Sequence, residues 1–272
     1  MPEFEPLQKD FKGSLAQRFE QCGWHLEPGV LDHDLAMQVQ EFLIGRLSHL
    51  QDLFEEWVKA HGADRQTYGS HQEQLSRYLD LHLPSDLQHF LIGEFDLETR
   101  LDTKIIEILS TDWCRTFICS YFETDHYYIH YPPMIRFKVA DGGGSVVPAH
   151  QDFAYNTHLT DFATVWVPLV DINEECGGLM VYEGSHLIGE VEHSASGAWE
   201  NKALIDLAEY PSRHILMNLG DALLFPPKLV HSSAPHRGER TRFSIDFRLF
   251  RRAGDTLKSF YNPFTGAITR QD

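Results

Sequence analysis

Arg242-Phe243-Ser244-Ile245-Asp246-Phe247-Arg248-Leu249-Phe250 alternates polar and apolar side chains through Leu249. A β-strand turns successive side chains to opposite faces. Phe243, Ile245, Phe247 and Leu249 are therefore expected on one side, with Arg242, Ser244, Asp246 and Arg248 on the other. An arginine fixed on the inner face of such a strand is costly unless it meets an anion, and its planar fork fits a carboxylate. Working outward, short runs rich in β-branched and aromatic residues recur at Arg115–Phe122, His126–Tyr131, Met134–Val139, Thr164–Val170, Leu179–Tyr182, His214–Asn218 and Ala222–Phe225. Turns such as Asp141-Gly142-Gly143-Gly144, Cys176-Gly177-Gly178 and Gly220-Asp221 separate many of them. So many short strands, with little helix between them, predict a sandwich or barrel of antiparallel strands.

The first hundred residues read differently. Val39, Phe42, Leu43, Leu47, Leu50, Phe54, Trp57 and Val58 recur at steps of three and four, which marks one buried stripe on a long helix. Asp32 or Asp34 is placed to cap its start and Gly62 to end it. Shorter helices are expected around Gln72–His82, Asp86–Leu91 and Leu97–Leu109. Glu190–Tyr210 breaks the β pattern and reads as a long excursion that could serve as a lid.

Composition bounds the function. The chain has 272 residues, 42% of them hydrophobic, which is ample for a buried core. Its formal net charge of −17 repels a phosphate backbone and argues against nucleic-acid partners. The start lacks a basic segment leading into an apolar run, and no apolar stretch approaches a membrane span. The four scattered cysteines are expected as reduced thiols in a cytoplasmic protein.

The chemistry concentrates in Pro148-Ala149-His150-Gln151-Asp152-Phe153. On an extended strand His150 and Asp152 would project together, offering an imidazole nitrogen beside a carboxylate oxygen. A second histidine would complete a facial triad for Fe(II) with open positions opposite. His231 follows the strand Ala222–Phe225 and is placed where a side chain can reach a barrel mouth.

With those residues in view, the sequence resembles the phytanoyl-CoA dioxygenase-like family of Fe(II)/2-oxoglutarate-dependent oxygenases. The resemblance runs from Phe19-Glu20-Gln21-Cys22-Gly23-Trp24 through His150-Gln151-Asp152, Val165–Ile172, Cys176-Gly177-Gly178-Leu179 and Glu183-Gly184-Ser185-His186. It ends in Gly220-Asp221, His231 and Arg242. It implies a mainly β fold, a double-stranded β-helix or jelly-roll barrel buttressed by N-terminal helices. On that reading 1–272 is a single oxygenase domain, helical over about 1–112, a jelly-roll core over about 113–250 and a C-terminal tail over 251–272. The resemblance implies that His150, Asp152 and His231 hold Fe(II). It implies that Arg242 receives the far carboxylate of 2-oxoglutarate, with Ser233, Trp166 and Arg136 in the same pocket. The reaction it implies consumes O2, hydroxylates an unactivated C–H bond of a small organic molecule and releases succinate and CO2. Halogenating relatives carry a small residue at the acid position, so Asp152 points to hydroxylation, desaturation or a related oxidation.

Tyr155, Asn156 and His158 follow the metal motif, and with Arg248 they are candidates for substrate contact. Arg248 is read as pairing with Asp246 or another carboxylate before it is read as binding a substrate anion. His186 is read as stabilising its turn. Two rivals stand beside the oxygenase reading: a non-redox metal enzyme on the same barrel, and a non-catalytic metabolite-binding protein.

Overall fold

The Asp32 side chain accepts a hydrogen bond from the Leu35 backbone N–H at 2.9 Å and so caps the longest helix. That helix, and the rest of the chain over residues 15–61, 78, 82–139, 147–195 and 201–270, is described by a computed structural model. Gly62, most of the expected 72–82 helix and the 141–144 glycine run lie outside the described residues. In chain order the helices are α1 (Leu15–Cys22), α2 (His33–Ala60), α3 (Ser85–Leu91), α4 (Leu97–Arg100), α5 (Thr103–Glu107) and α6 (Asp112–Phe122). None among the described residues is long and apolar enough to cross a membrane. The strands are β1 (His25–Glu27), β2 (Tyr128–His130), β3 (Met134–Lys138), β4 (Phe162–Pro168), β5 (Leu179–Tyr182), β6 (His193–Ala195) and β7 (Asn201–Ala203). They continue with β8 (Ser212–His214), β9 (Ala222–Phe225), β10 (His231–Ser233), β11 (Arg242–Phe250), β12 (Phe260–Asn262) and β13 (Ala267–Thr269).

The strands form two principal antiparallel sheets. The larger runs β1-β9-β4-β11-β2-β12-β13, with β3 also paired to β11; the smaller runs β10-β5-β8. Together they make the jelly-roll barrel of a double-stranded β-helix, with the helices against one face. Strand β11 pairs with β4 from Ser244↔Pro168 to Phe250↔Phe162. Its other edge pairs with β3, including Arg242↔Lys138 and Ser244↔Arg136, and then with β2.

The alternation read in β11 is borne out. Phe243, Ile245, Phe247 and Leu249 join Val39, Leu43 and Leu50 of α2 and Val165 and Val167 of β4 in one core. A second core lies between the sheets, where Trp166, Leu223 and Phe225 of the larger meet Leu179 and Val181 of the smaller. Burying a side chain of this size stabilises by about 1.5–3 kcal/mol, so these two layers hold the inner face of the larger sheet in place.

One expected strand is a helix. Arg115–Phe122 lies within α6, whose start is capped by the Thr111 hydroxyl accepting from the Cys114 N–H at 3.2 Å. Cys114, Phe117 and Ile118 are the buried residues of α6, at steps of three and four from the first, and that helical period outweighs the local β-branched content. The expected Leu97–Leu109 helix is broken into α4, α5 and a 3-10 turn over Ile108–Ser110; Ile105, Ile106 and Leu109 are buried and Leu101 is exposed.

Candidate metal centre

His150, Asp152 and His231 are all buried, and one ligand atom from each lies within 4.8 Å of the others. The convergence is not that of one extended strand. His150 forms a single antiparallel bridge with His231, the two backbones exchanging N–H···O bonds of 2.9 and 3.0 Å. Asp152 then opens a 3-10 turn over Asp152–Ala154, which bends the chain and swings the carboxylate between the two rings. Oδ1 of Asp152 is 3.7 Å from Nε2 of His150 and 3.9 Å from Nε2 of His231.

Each imidazole is locked by a backbone carbonyl two residues behind it. His150 Nδ1 is 2.8 Å from Pro148 O, and His231 Nδ1 is 3.1 Å from Leu229 O. A carbonyl only accepts, so Nδ1 carries the proton and Nε2 keeps its lone pair, the state a metal ligand needs. Burial, followed by the nearby His150 ring, pushes His231 down to about 3 and keeps it neutral. Burial would raise the Asp152 carboxyl, but Arg248, then the neighbouring His150 and His231 rings, outweigh it and hold it well below the usual carboxylate range. The Thr164 hydroxyl donates to Asp152 Oδ2, and Arg248 Nη2 donates to Oδ1 at 2.9 Å. Two neutral imidazoles and one carboxylate, each oriented by an outer partner, fit a divalent metal with open positions.

Arg242 is 3% exposed on the inner face of β11. Its Nη1 donates to Ser244 Oγ at 2.8 Å, and its guanidinium carbon is 5.7 Å from the centre of the Trp166 ring. Its Nε is buried with no hydrogen-bond partner, and no carboxylate ion-pairs with it among the described residues. Burial pushes it down to about 10. Lys138 sits opposite in register, donates to Ala234 O at 3.4 Å, and is pushed down to about 7 by burial, then by Arg242 and Arg136. Two buried cations at one end of a sheet, one with an orphaned donor, suit the far carboxylate of 2-oxoglutarate. Ser233 lies two residues beyond His231 on β10, with its N–H bonded to Val147 O. Its side chain therefore shares the strand face of the metal-site histidine.

Arg136 stands on the same inner sheet face but is already engaged, 2.7 Å from Glu94 Oε1 and 3.4 Å from Asp246 Oδ2. Asn156 donates from Nδ2 to Asp152 O at 2.8 Å and braces the turn. The Tyr155 ring stands edge-on to His150 at 5.0 Å, and its hydroxyl accepts from the Asn201 N–H at 2.8 Å. The His158 ring lies tilted against that of His130, with centroids 4.8 Å apart. His186 lies against Glu20 O at 3.3 Å, away from the triad.

Three residues of this region escaped the sequence reading, and a fourth, His130, is read there only as part of an aromatic strand that packs. Thr164 holds Asp152, and Lys138 faces Arg242. His130 lies beside His158. Gln151, fully buried, donates from Nε2 to Gly189 O and Lys228 O and accepts at Oε1 from the Val191 N–H. Its own N–H donates to His193 Nε2 at 3.0 Å. Gln151 thereby ties the metal motif to the β6–β7 excursion, where Ala203 packs on Ala149 and Val230. The signal for Thr164 and Lys138 was present in the alternation of β4 and β3; the other two depend on pairings between distant segments.

Residues 45–244 match the family model described as phytanoyl-CoA dioxygenase (PhyH). Over 115 residues the chain is 30% identical to a 1-deoxypentalenic acid 11-beta-hydroxylase from Streptomyces exfoliatus, a match spanning 38% of this chain and 41% of the relative. Among solved structures it resembles the non-heme monooxygenase ThoJ, with a TM-score of 0.60 and 19% identity over 92% of this chain and 83% of that one. It also resembles the epimerase SnoN, solved with Fe3+, alpha ketoglutarate and a nogalamycin ligand. That TM-score is 0.55, with 18% identity over 87% of this chain and 82% of the other. The family match covers most of the chain, and the chain belongs to the phytanoyl-CoA dioxygenase family.

Proposed function

We propose that this protein is a non-haem Fe(II)- and 2-oxoglutarate-dependent dioxygenase that hydroxylates an unactivated C–H bond of a small organic molecule, releasing succinate and CO2. The observation that carries the reading is the pairing of a buried His150–Asp152–His231 triad with a buried Arg242 whose Nε has no hydrogen-bond partner and which ion-pairs with no carboxylate among the described residues. A non-redox metal enzyme needs no such clamp, and a simple metabolite binder needs no intact metal triad. When bound, iron and 2-oxoglutarate supply the O2-dependent oxidation.

The chain supplies the rest. His150, Asp152 and His231 would hold the metal through Nε2, Oδ1 and Nε2. Arg242, with Ser233 and Trp166 beside it, would hold the cosubstrate's far end, and Lys138 adds a second cation there. Thr164 and Arg248 keep Asp152 ionised and aimed. Gln151 braces the β6–β7 excursion over this flank and limits water entry.

The related Streptomyces hydroxylase acts on a carboxylic acid of natural-product type, and we place the substrate of this chain in the broad class of small organic molecules. Four dispersed cysteines suit action in the cytoplasm. The test is anaerobic addition of Fe(II) and 2-oxoglutarate, which should produce the visible charge-transfer band of a 2-oxo acid chelate. In air, a substrate library is then screened for succinate release and for a product heavier by one oxygen atom. Absence of both the band and succinate would return the protein to one of its rivals.

A further inference from the structure

On the inner face of the larger sheet, one group of polar side chains remains unused by the triad and the cosubstrate clamp. The β2–β11 register pairs Leu249 with Ile129 and Phe250 with Tyr128. Carried one residue further, it sets His130 opposite Arg248. Ile129 belongs to the helix-side core, so His130 takes the inward face that Arg248 also occupies. His158 reaches the same place from the loop after the metal motif, its ring 4.8 Å from that of His130. The Leu257 N–H donates to His158 O at 3.1 Å, which brings Lys258 alongside.

The polar atoms of this group are unspent. Nε2 of His130, Nε2 of His158, and both Nε and Nη1 of Arg248 are buried without a hydrogen-bond partner. Leaving a buried donor unpaired is costly, and one protein seldom does so four times in one spot without a ligand to satisfy it. The side chain of Arg248 is 13% exposed and both histidines are half-buried, so the group borders open space. After burial, the groups acting on His130 are His158, then Arg248, Lys258 and Arg100, and those acting on His158 are Lys258, then Arg248, all of them cationic when charged. Arg136, farther along the sheet, differs: Glu94 and Asp246 already neutralise it. Among the described residues, the acid that ion-pairs with Arg248 is Asp152, whose charge a bound metal would share.

We propose that His130, His158 and Arg248 form a preorganised anion subsite that receives a carboxylate of the substrate, beside the metal and apart from the Arg242 clamp. This rests on the oxygenase reading and narrows its substrate to acids. Arg248 donates from Nε and Nη1, and each imidazole donates from Nε2 in the tautomer that places its proton there. The acid is held one residue contact away from Asp152, which positions the carbon skeleton over the metal's open side.

The test uses the full chain loaded anaerobically with Fe(II) and saturating 2-oxoglutarate. The probes are cyclohexanecarboxylate, its methyl ester and its amide. Binding is followed by perturbation of the visible band and by calorimetry. The acid should bind at least about tenfold more tightly than the ester or amide. His130→Leu and His158→Leu should each weaken the acid by about tenfold or more, leave the ester unchanged and leave the band intact, since neither residue touches the triad. Equal binding of acid and ester, no binding of the acid while the band forms, or unchanged acid affinity in both variants would overturn the subsite. A wild-type protein that forms no band fails the oxygenase reading instead. In that case calorimetry of acid against ester on the protein alone decides the subsite, and no preference for the acid sinks it.

Discussion

Replacing Arg242 by Met separates a ligand clamp from a structural ion pair, because the two give opposite signs of stability. The guanidinium is buried, donates once to Ser244 and lies over Trp166, but meets no carboxylate among the described residues. Burial lowers it from 12.5 to about 10, which corresponds to roughly 3 kcal/mol held against the charged form. Methionine keeps much of the volume and removes that penalty. It forfeits one hydrogen bond to a charged donor, about 1.5–3 kcal/mol, and part of the cation–π contact. Without cosubstrate, Arg242→Met should therefore be neutral to stabilising, by up to about 2 kcal/mol, a rise in Tm of up to about 8 °C. With 2-oxoglutarate the order reverses. At a concentration of about 100 times Kd the wild type gains about 2.7 kcal/mol from the ligand, and the variant should gain almost none. Thermal unfolding of both proteins, with and without 2-oxoglutarate and Fe(II), reads all four states. A variant destabilised by about 3 kcal/mol or more without ligand, yet still stabilised by 2-oxoglutarate as the wild type is, would refute the assignment.

Three further outcomes are expected. His231→Ala removes one of three ligand atoms and should abolish both stoichiometric Fe(II) binding and the visible 2-oxoglutarate band in an anaerobic titration. Thr164→Val deletes the hydroxyl that donates to Asp152 Oδ2 and should weaken Fe(II) by about 10–100-fold with little change in fold, as measured by competition against a metal indicator. Arg136→Met should change the pH dependence of folding. In the wild type burial raises Glu94, but Arg136, then His89, outweigh it and lower it below 4.5, so its contribution is present above that pH and lost as pH falls through the folded value. In the variant burial wins, the folded value rises above 4.5, and stability should fall as pH rises between about 5 and about 7. The loss near neutrality should reach up to about 3–5 kcal/mol, less what the exposed edge of Arg136 screens. Urea unfolding at the two pH values measures it, and a variant equally stable at both would contradict the argument.

The elements that were legible in the sequence are those whose own period decides them. β11 alternates over its first eight residues and α2 carries its apolar stripe along most of a 28-residue helix, so neither needs a partner to be recognised. α6 was misread because its aromatic and β-branched residues outweighed a helical spacing spread over only two turns. The metal centre was readable because His150 and Asp152 are close in sequence and His231 lies in a recognisable segment. Their convergence was expected from strand alternation, whereas a bridge and a 3-10 turn produce it. The engagement of Arg136 could not be read, since Glu94 comes from the turn after α3 and approaches only when helix and sheet pack. The same holds for Arg248. A pairing with Asp246 or another carboxylate was expected, and which carboxylate reaches it, Asp152, is set by a distant segment.

One property of β11 bears on how such a protein can diverge. The guanidinium proposed for the co-reactant and the one paired with Asp152 ride on a single rod, six positions and about 20 Å of backbone apart. Their spacing is quantised by the pleat: an inserted or deleted residue between them would throw one of the two to the opposite side of the sheet, into the helices. New chemistry therefore cannot be reached by stretching this ruler. It has to be written in the segments that overhang it, the loop carrying His158 and the β6–β7 flap, which can lengthen or shorten while the reaction's coordinates stay put.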